Sequence, residues 1–335
     1  MRHLCSVGAV TTVGEIGERA LIARMTAAAG RGGGDVVIGA GDDAAVLRAA
    51  GPVVVSTDTA VAGRHFRFDW STPEQIGARA VVAAAADISA MGGVLTGVVV
   101  SLGCPAHTPV DQLLAVNAGL VGQTHRYGAR VLGGDLVSAP AMILTVTAIG
   151  MLDGDEAVTL SGARPGDVLA VSGPLGGAAA GLALLSAAAT GADPVLTQRY
   201  SSLVTRFALP QPDPQQGPLA ARAGAHAMTD VSDALIEELI TMSTAGGAVL
   251  DVDVAAVPRP AGLAAAAAAL GVDPDRWVLT GGEDHELLAA LDPAAVPDGW
   301  TVIGRVRAGG PAVLADGRPI GDLHGWQSFT PTDFA

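Results

Sequence analysis

The chain has 335 residues and a hydrophobic fraction of 50%, more than one compact core normally takes, so two domains are expected. A net charge of -14, from 19 basic against 33 acidic residues, argues against non-specific binding to nucleic acid or to an anionic membrane surface. Every one of the 19 basic residues is Arg, and the absence of Lys excludes a Walker A loop, a kinase-type strand lysine and a pyridoxal phosphate Schiff base.

The opening "MRHLCSVGAV" has too short an apolar run for the core of a signal peptide. The longest apolar stretch, "AVVAAAADISAMGGVLTGVVV", is interrupted by Asp87 and a Gly pair, so no membrane segment and a cytoplasmic location are expected. Cys5 and Cys104 are too far apart in sequence to suggest a disulfide framework or a Cys-based zinc site. "TVGEIGERALIARMTAAAG" predicts a helix closed by Gly30, followed by a Gly-rich loop and the strand "VVIGAG". "AAVL" and "VVVS" read as short strands; paired as a hairpin centred between Ala50 and Gly51, they set Asp43 opposite Asp58. "STPEQIGARAVVAAAADISAMGG" predicts a long helix with Ser or Thr as N-cap, Pro73 in its first turn and Gly92-Gly93 as its stop. Asp87 falls in its last turns, where the helix dipole disfavours a carboxylate.

"VLTGVVVSLG" reads as a strand, "PVDQLLAVNAGLVGQTHRYG" as a helix, and "ARVLGGDLV" and "AMILTVTAIGML" as strands with Asp135 at a Gly-Gly turn between them. The charged "DGDEAVTLSGARPGD" marks a boundary near residue 152, giving domains 1–152 and 153–335. In the second, "VLAVSGPLGGAAAGLALLS" restarts a strand-loop-helix pattern, whose Gly-rich turn suits either a phosphate or plain chain reversal. "FALPQPDPQQGP" is a connection, and "DVSDALIEELITMSTAGG" is a helix capped by Asp230 or Ser232 with Asp233 suited to its first turn. "AVLDVDV" reads as a strand, "GLAAAAAALG" as a helix, "WVLTGGEDHELLAAL" as a strand-like run with a Gly pair inside it, and "AVLADGRPI" as a hairpin with an Asp-Gly turn.

Asp42, Asp43, Asp58, Asp87 and Asp135 all fall at predicted loop or element ends beside apolar strands. Turns and caps explain any one of them, but oxygen-only donors select hard cations, and several Mg²⁺ ions bridging a nucleotide account for the set. The Gly281-Gly282 pair implies close approach of a ligand or another strand to the backbone, with Glu283 beyond it as a candidate substrate contact. His65, taken alone, reads as structural or surface.

In this order, "GDDAAVL", "STDTAVAGRHF", "DISAMGG", "GGD", "SGARPGD", "DVSDAL", "GGEDHEL" and "GWQSF" resemble the thiamine-monophosphate kinases, a family within the ATP-binding superfamily that includes aminoimidazole ribonucleotide synthetase. The resemblance runs from about Thr12 to Phe329. It implies two α/β domains, with the N-terminal sheets of a homodimer joining into a barrel. It implies direct phosphoryl transfer from ATP to thiamine monophosphate, assisted by several Mg²⁺ ions. Position by position it implies metal ligation by Asp43, Ser56, Thr57, Asp58, Asp87, Asp135, Asp230 and Asp233. Nucleotide contacts would come from Gly134, Asp135 and Ser232, and contacts to the thiamine phosphate from His65, Glu283 and Trp326. Leu160 stands where the family carries an ATP-contacting Arg, with Arg164 the nearest cation to replace it. A related ATP-dependent synthetase and a non-catalytic nucleotide-binding relative are the alternatives within the same superfamily.

Overall fold

The computed structural model describes residues 11–29, 34–40, 44–191 and 194–326. The N-terminal part comprises α1 (Val13–Ile16), α2 (Glu18–Ala29), β1 (Val36–Ile38), β2 (Val46–Leu47), β3 (Val53–Val61), α3 (Pro73–Ala90), β4 (Gly93–Cys104), α4 (Val110–Arg126), β5 (Arg130–Ser138) and β6 (Ile143–Leu152). The C-terminal part comprises β7 (Val168–Val171), α5 (Gly177–Ala189), α6 (Val195–Arg199), α7 (Ser201–Ala208), α8 (Gln216–Arg222), β8 (Ala227–Asp230), α9 (Leu235–Gly246) and β9 (Val249–Val252). It continues with α10 (Leu263–Leu270), α11 (Pro274–Thr280), β10 (Leu287–Leu291), β11 (Thr301–Arg307), β12 (Ala312–Ala315) and β13 (Arg318–Pro319). Among the described residues no helix is long and apolar enough to cross a membrane.

The first sheet has the order β3-β6-β4-β5. β3 does not form the expected hairpin with β2. It pairs antiparallel with β6 from Val53 opposite Met151 to Val61 opposite Ile143, which puts Val146, not Asp43, across from Asp58. The two residues of β2 pair with β1 in a small sheet of their own. A ladder along all nine residues of β3 satisfies far more backbone groups than so short a hairpin could. Asp43 itself lies outside the described residues.

Asp135 is likewise not at a turn. It lies inside β5, opposite Ser101 of the parallel neighbour β4. The glycine before it serves close strand approach, since a Cβ on Gly134 would stand 2.1 Å from the Val100 carbonyl oxygen.

Helices α3 and α4 cover one face of this sheet, burying Val98, Leu102, Leu144 and Val146 against Val81, Ile88, Leu113 and Leu120. The opposite face leaves Val53, Val55, Val99 and Val137 exposed. Alternation along β3 sets Val54 and Ala60 toward the helices together with Ser56 and Asp58, and turns Thr57 and Thr59 to the open face.

The second sheet is mixed, in the order β13-β12-β9-β11-β7-β10-β8. Its core joins Leu169, Val171, Leu288 and Ile303 to Leu235, Leu239, Leu263 and Val278 from the helices. Two readings of this half change. "WVLT" belongs to α11, whose N-cap Asp273 accepts from the Asp275 amide, and only "LLAAL" of that run is strand. A short apolar run fits either state, and here the cap and Pro274 decide for helix. Helix α9 begins at Leu235 without a side-chain cap, so neither Asp230 nor Ser232 caps it. Asp230 instead ends β8, held by pairing with Leu287.

Helix α3 joins the two sheets. Thr72 caps it with Pro73 at the first position, as the sequence suggests, and the structure adds a reciprocal capping box through Gln75. Its buried residues run through nearly every position from Ile76 to Ala90, because its small side chains admit neighbours on all sides. At the crossing with α4 a Cβ on Gly77 would stand 1.9 Å from the Val116 carbonyl oxygen, and one on Gly119 as close to that of Glu74. Gly77→Ala should therefore lower the thermal midpoint by the equivalent of at least about 1–3 kcal/mol, the usual scale of overpacking. Gly122→Ala, in the same α4 but with nothing near its would-be Cβ, should be neutral or stabilising by up to roughly 1 kcal/mol. Equal midpoints for the two variants would contradict this account of the helix crossing.

Candidate functional site

Carboxylates from both sheets meet beside α3. β3 supplies Ser56 and Asp58, the last turns of α3 supply Asp87, the end of β8 supplies Asp230, and the loop before α9 supplies Asp233. The Ser56 hydroxyl donates to Asp87 Oδ2 at 2.5 Å. Burial, with Asp230 and Asp58 as like-charged neighbours, pushes the Asp87 carboxyl up to about 6. Burial also raises Asp58, with Asp230 and Glu283 adding to the effect, and raises Asp233, with Glu283 and Asp230. Glu238, in the first turns of α9, is pushed up to about 8 by burial and by Asp230, while accepting from the Asp233 amide at 3.3 Å.

Two cations face these acids, and neither was picked out as a site residue in the sequence. The Arg79 guanidinium of α3 pairs with Glu283 Oε2 at 2.8 Å. The buried His285 ring has Nδ1 3.0 Å from Asp230 Oδ2 and Nε2 3.3 Å from Glu283 Oε2. Burial opposes a charge on His285, but Asp230 and Glu283 outweigh it and hold the imidazole up to about 10, protonated on both nitrogens. Burial would likewise raise Glu283, yet Arg79 and His285 hold it well below the usual carboxylate range.

The loop carrying these groups is strained, with Glu283 at φ 68° and His285 at φ 55°, both in the left-handed region that non-glycine residues rarely occupy. What approaches the Gly281-Gly282 pair is protein backbone. A Cβ on Gly282 would stand 2.2 Å from the Ser232 carbonyl oxygen, and that carbonyl accepts from the Glu283 amide at 2.7 Å.

Next to the acids opens a cleft of about 600 Å³ whose lining includes His65, Arg79, Phe207, Ser232, Glu283 and Trp326. His65, Glu283 and Trp326, far apart in sequence, are thus brought together. The His65 and Trp326 rings meet edge to face with centroids 6.4 Å apart, and the Arg64 guanidinium lies 5.4 Å from the indole centroid. Trp326 is tied down by its amide to the Asp233 carbonyl and by the neighbouring Gly325 amide to Glu237 Oε1. His65 Nδ1 accepts from the Val61 amide, leaving its proton on Nε2, and burial lowers its basicity.

Other sequence candidates stand apart from this cluster. Thr57 Oγ1 is paired with Thr147 Oγ1 on the open face of the sheet. Gly134 and Asp135 are exposed on edge strand β5, beside a small cavity under α2 lined by Met25, Ala40 and Leu120. Arg164 reaches toward His226 Nε2 at 3.4 Å, and His226 precedes β8 at the end remote from Asp230. Its side chain is committed away from the acids. The Gly-rich turn before α5 proves to be a chain reversal whose Gly176 and Ala178 amides are taken by the buried Asp284 carboxylate, at 2.6 and 2.9 Å. That helix end is closed to a phosphate. Among the described residues no three His, Cys, Asp or Glu side chains form a ready-made metal cage.

Residues 41–152 match the N-terminal domain model of AIR synthase related proteins, and residues 164–316 match the C-terminal one. A thiamine-monophosphate kinase from Mycobacterium tuberculosis is 45% identical over 324 residues, covering 96% of this chain and 94% of the relative. The solved thiamine-monophosphate kinase from Stenotrophomonas maltophilia superposes with a TM-score of 0.76 at 29% identity, covering 90% of this chain and 96% of that one. A solved structure of AaThiL complexed with AMPPCP and TMP superposes with a TM-score of 0.74 at 25% identity, covering 95% and 99%. With relatives of this identity along nearly its whole length, the chain belongs to the thiamine-monophosphate kinase family.

Proposed function

We propose that the chain transfers the terminal phosphoryl group of ATP to thiamine monophosphate, giving thiamine diphosphate. The observation that carries this reading is the convergence of an acid cluster, Asp58, Asp87 and Asp230, with an aromatic cleft holding His65, Glu283 and Trp326. The relative complexed with AMPPCP and TMP, an ATP analogue and the acceptor, supports the pairing of substrates. The acceptor phosphate is itself the nucleophile, so the chain's task is positioning and charge balance.

Repulsion among half-buried acids and their raised pKa values support a cation site made of hard oxygen donors. Several Mg²⁺ ions fit such donors, because Mg²⁺ takes one or two carboxylates and completes its octahedron with water and substrate phosphate, so no closed protein cage is needed. Asp58, Asp87, Asp230 and Asp233 would hold them, with Ser56 beside Asp87, Thr57 through its backbone, and Asp43 from outside the described residues. When bound, Mg²⁺ neutralises the triphosphate and the acceptor phosphate that must approach it. Glu283, ionised between Arg79 and His285, faces the cationic thiazolium and the amino group of the pyrimidine. Trp326 offers an indole face to the same cation, and His65 a neutral Nε2–H donor. Ser232, in the cleft lining next to Asp233, would contact the nucleotide.

Gly134 and Asp135 belong to this reading through a homodimer. Asp58 and Gly134 share one cross-strand row, through Val146 and Val100, but at opposite edges of the sheet, roughly 14 Å apart at the usual strand spacing. Two such sheets closing edge to edge into a barrel would bring β5 of one copy to β3 of the other and cover Val55 and Val137. The division into domains 1–152 and 153–335 then separates the dimerising sheet from the sheet that carries Asp230 and Glu283.

Asp58→Asn is expected to abolish formation of thiamine diphosphate while leaving the thermal midpoint near that of the parent. Near-parent turnover at saturating Mg²⁺ would sink the metal reading of β3. Without metal, Asp87 holds its proton below about pH 6, and Mg²⁺ must displace that proton to bind. Apparent Mg²⁺ affinity should therefore fall as pH drops, by roughly tenfold between pH 7 and pH 5 in calorimetric titrations. An affinity that stays flat over that range would contradict metal binding at Asp87. Trp326→Ala should raise KM for thiamine monophosphate by about fivefold, the scale of a stacking contact of about 1 kcal/mol, with less effect on KM for ATP. A change confined to the ATP dependence would remove Trp326 from the thiamine side.

A further inference from the structure

We propose that His285 is a positioning residue that couples the two halves of the site, holding the metal-side carboxylate of Asp230 and the thiamine-side carboxylate of Glu283 in one fixed relation. The proposal rests on the reading of those two carboxylates given above. Its own basis is geometry. One planar ring contacts Asp230 Oδ2 at 3.0 Å through Nδ1 and Glu283 Oε2 at 3.3 Å through Nε2, and only 4% of the His285 side chain is exposed. Among the described residues, Asp230 takes its side-chain hydrogen bond from this ring. The backbone around the ring is pinned. The His285 amide donates to the Val231 carbonyl at 3.0 Å, the Glu283 amide to that of Ser232, and Leu287 pairs with Asp230.

A rigid ring with both nitrogens engaged and no room to slide cannot follow one carboxylate without moving the other. A ligand that draws Glu283 into the cleft therefore reorients Asp230. The left-handed backbone at His285, unusual for a side chain of this size, is what aims both ring nitrogens between the two acids. Arg79 holds Glu283 from the other side, so the coupling runs through a carboxylate that is itself clamped.

The two contacts can be separated by substitution. An Asn amide nitrogen occupies about the place of Nδ1, and Asn tolerates the left-handed backbone; a Gln amide nitrogen occupies about the place of Nε2. Mn²⁺ binding followed by electron paramagnetic resonance reads the Asp230 side, and calorimetry with thiamine monophosphate reads the Glu283 side. His285→Asn should keep Mn²⁺ affinity within about twofold and weaken thiamine monophosphate roughly tenfold, the scale of one lost hydrogen bond to a charged group. His285→Gln should do the reverse. A purely structural His would shift both affinities together in both variants, and that result, or no shift in either, overturns the proposal.

If either variant loses its cooperative melt, Asp230→Asn and Glu283→Gln put the same question. Coupling requires each to weaken the other side's ligand as well as its own, by about threefold or more. Loss confined to its own side in both variants overturns the coupling alone. An Asp230→Asn that binds Mn²⁺ normally, or a Glu283→Gln that binds thiamine monophosphate normally, overturns the reading of the carboxylates beneath it, and the proposal falls with it.

Discussion

Carboxylates from two sheets crowd one junction, and in the described structure the positive charge that meets them there is the pair Arg79 and His285. Both converge on Glu283 Oε2, and His285 continues to Asp230, so a chain of contacts runs from α3 through the 283–285 loop to the end of β8. Remove His285 and the buried Asp230 carboxylate is left uncompensated, which is far costlier than never having built the pair; remove Arg79 and Glu283 keeps only the imidazole. The remaining acids, Asp58, Asp87 and Glu238, are not neutralised by this chain, and their raised pKa values register the deficit. A protein that leaves such a deficit beside a cleft is prepared to receive further cations. It is also prepared for a ligand whose own charge depends on them.

That junction exists because α3 is narrow. An Ala-rich helix, with Gly77 at the α4 crossing, lets the first sheet and α4 close on one side and α8 and β8 on the other, without large side chains holding them apart. Arg79 and Asp87 lie eight residues apart on it, about 12 Å along the axis, so one rigid element carries a cation toward the cleft and an acid toward Ser56 and the other carboxylates. The backbone strain falls on the loop opposite, at Glu283 and His285, where the aim of the side chains matters. Precision is thus divided between a rigid helix and a pinned, strained loop.

Much of this was legible in the sequence where the governing physics is local. Thr72 and Pro73 announce the start of α3 and Gly92 its end, because capping and left-handed termination involve residues a few positions apart. The Asp-Gly turn between β12 and β13 was equally readable, with Asp316 and Gly317 both at positive φ. Arg79 could have been noticed as the lone cation in an apolar helical run, and His285 as the one ring in "GGEDHEL", but nothing in spacing says which acids they face. Partners from β8, α3 and a distant loop meet only after the two sheets pack.

Beside the helix at Trp277 and the uncapped start of α9, strand pairing was where sequence reasoning failed, and there for one reason. Adjacency in the chain favoured a β2–β3 hairpin and a turn at Gly133-Gly134, whereas β3 pairs with β6 and Asp135 sits inside β5. Ladder energy is proportional to the backbone groups paired, and long-range partners offered more of them. What the sequence by itself determined is the α/β alternation, the caps, the Lys-free acidic inventory and the family, all carried by local order and residue type. Tertiary structure alone decided which carboxylates share a cation, which face of β3 each side chain takes and which residues line the cleft. Those outcomes depend on distances between segments far apart in the chain, 55 residues for Asp230 and His285 and 204 for Arg79 and Glu283, and only packing sets such distances.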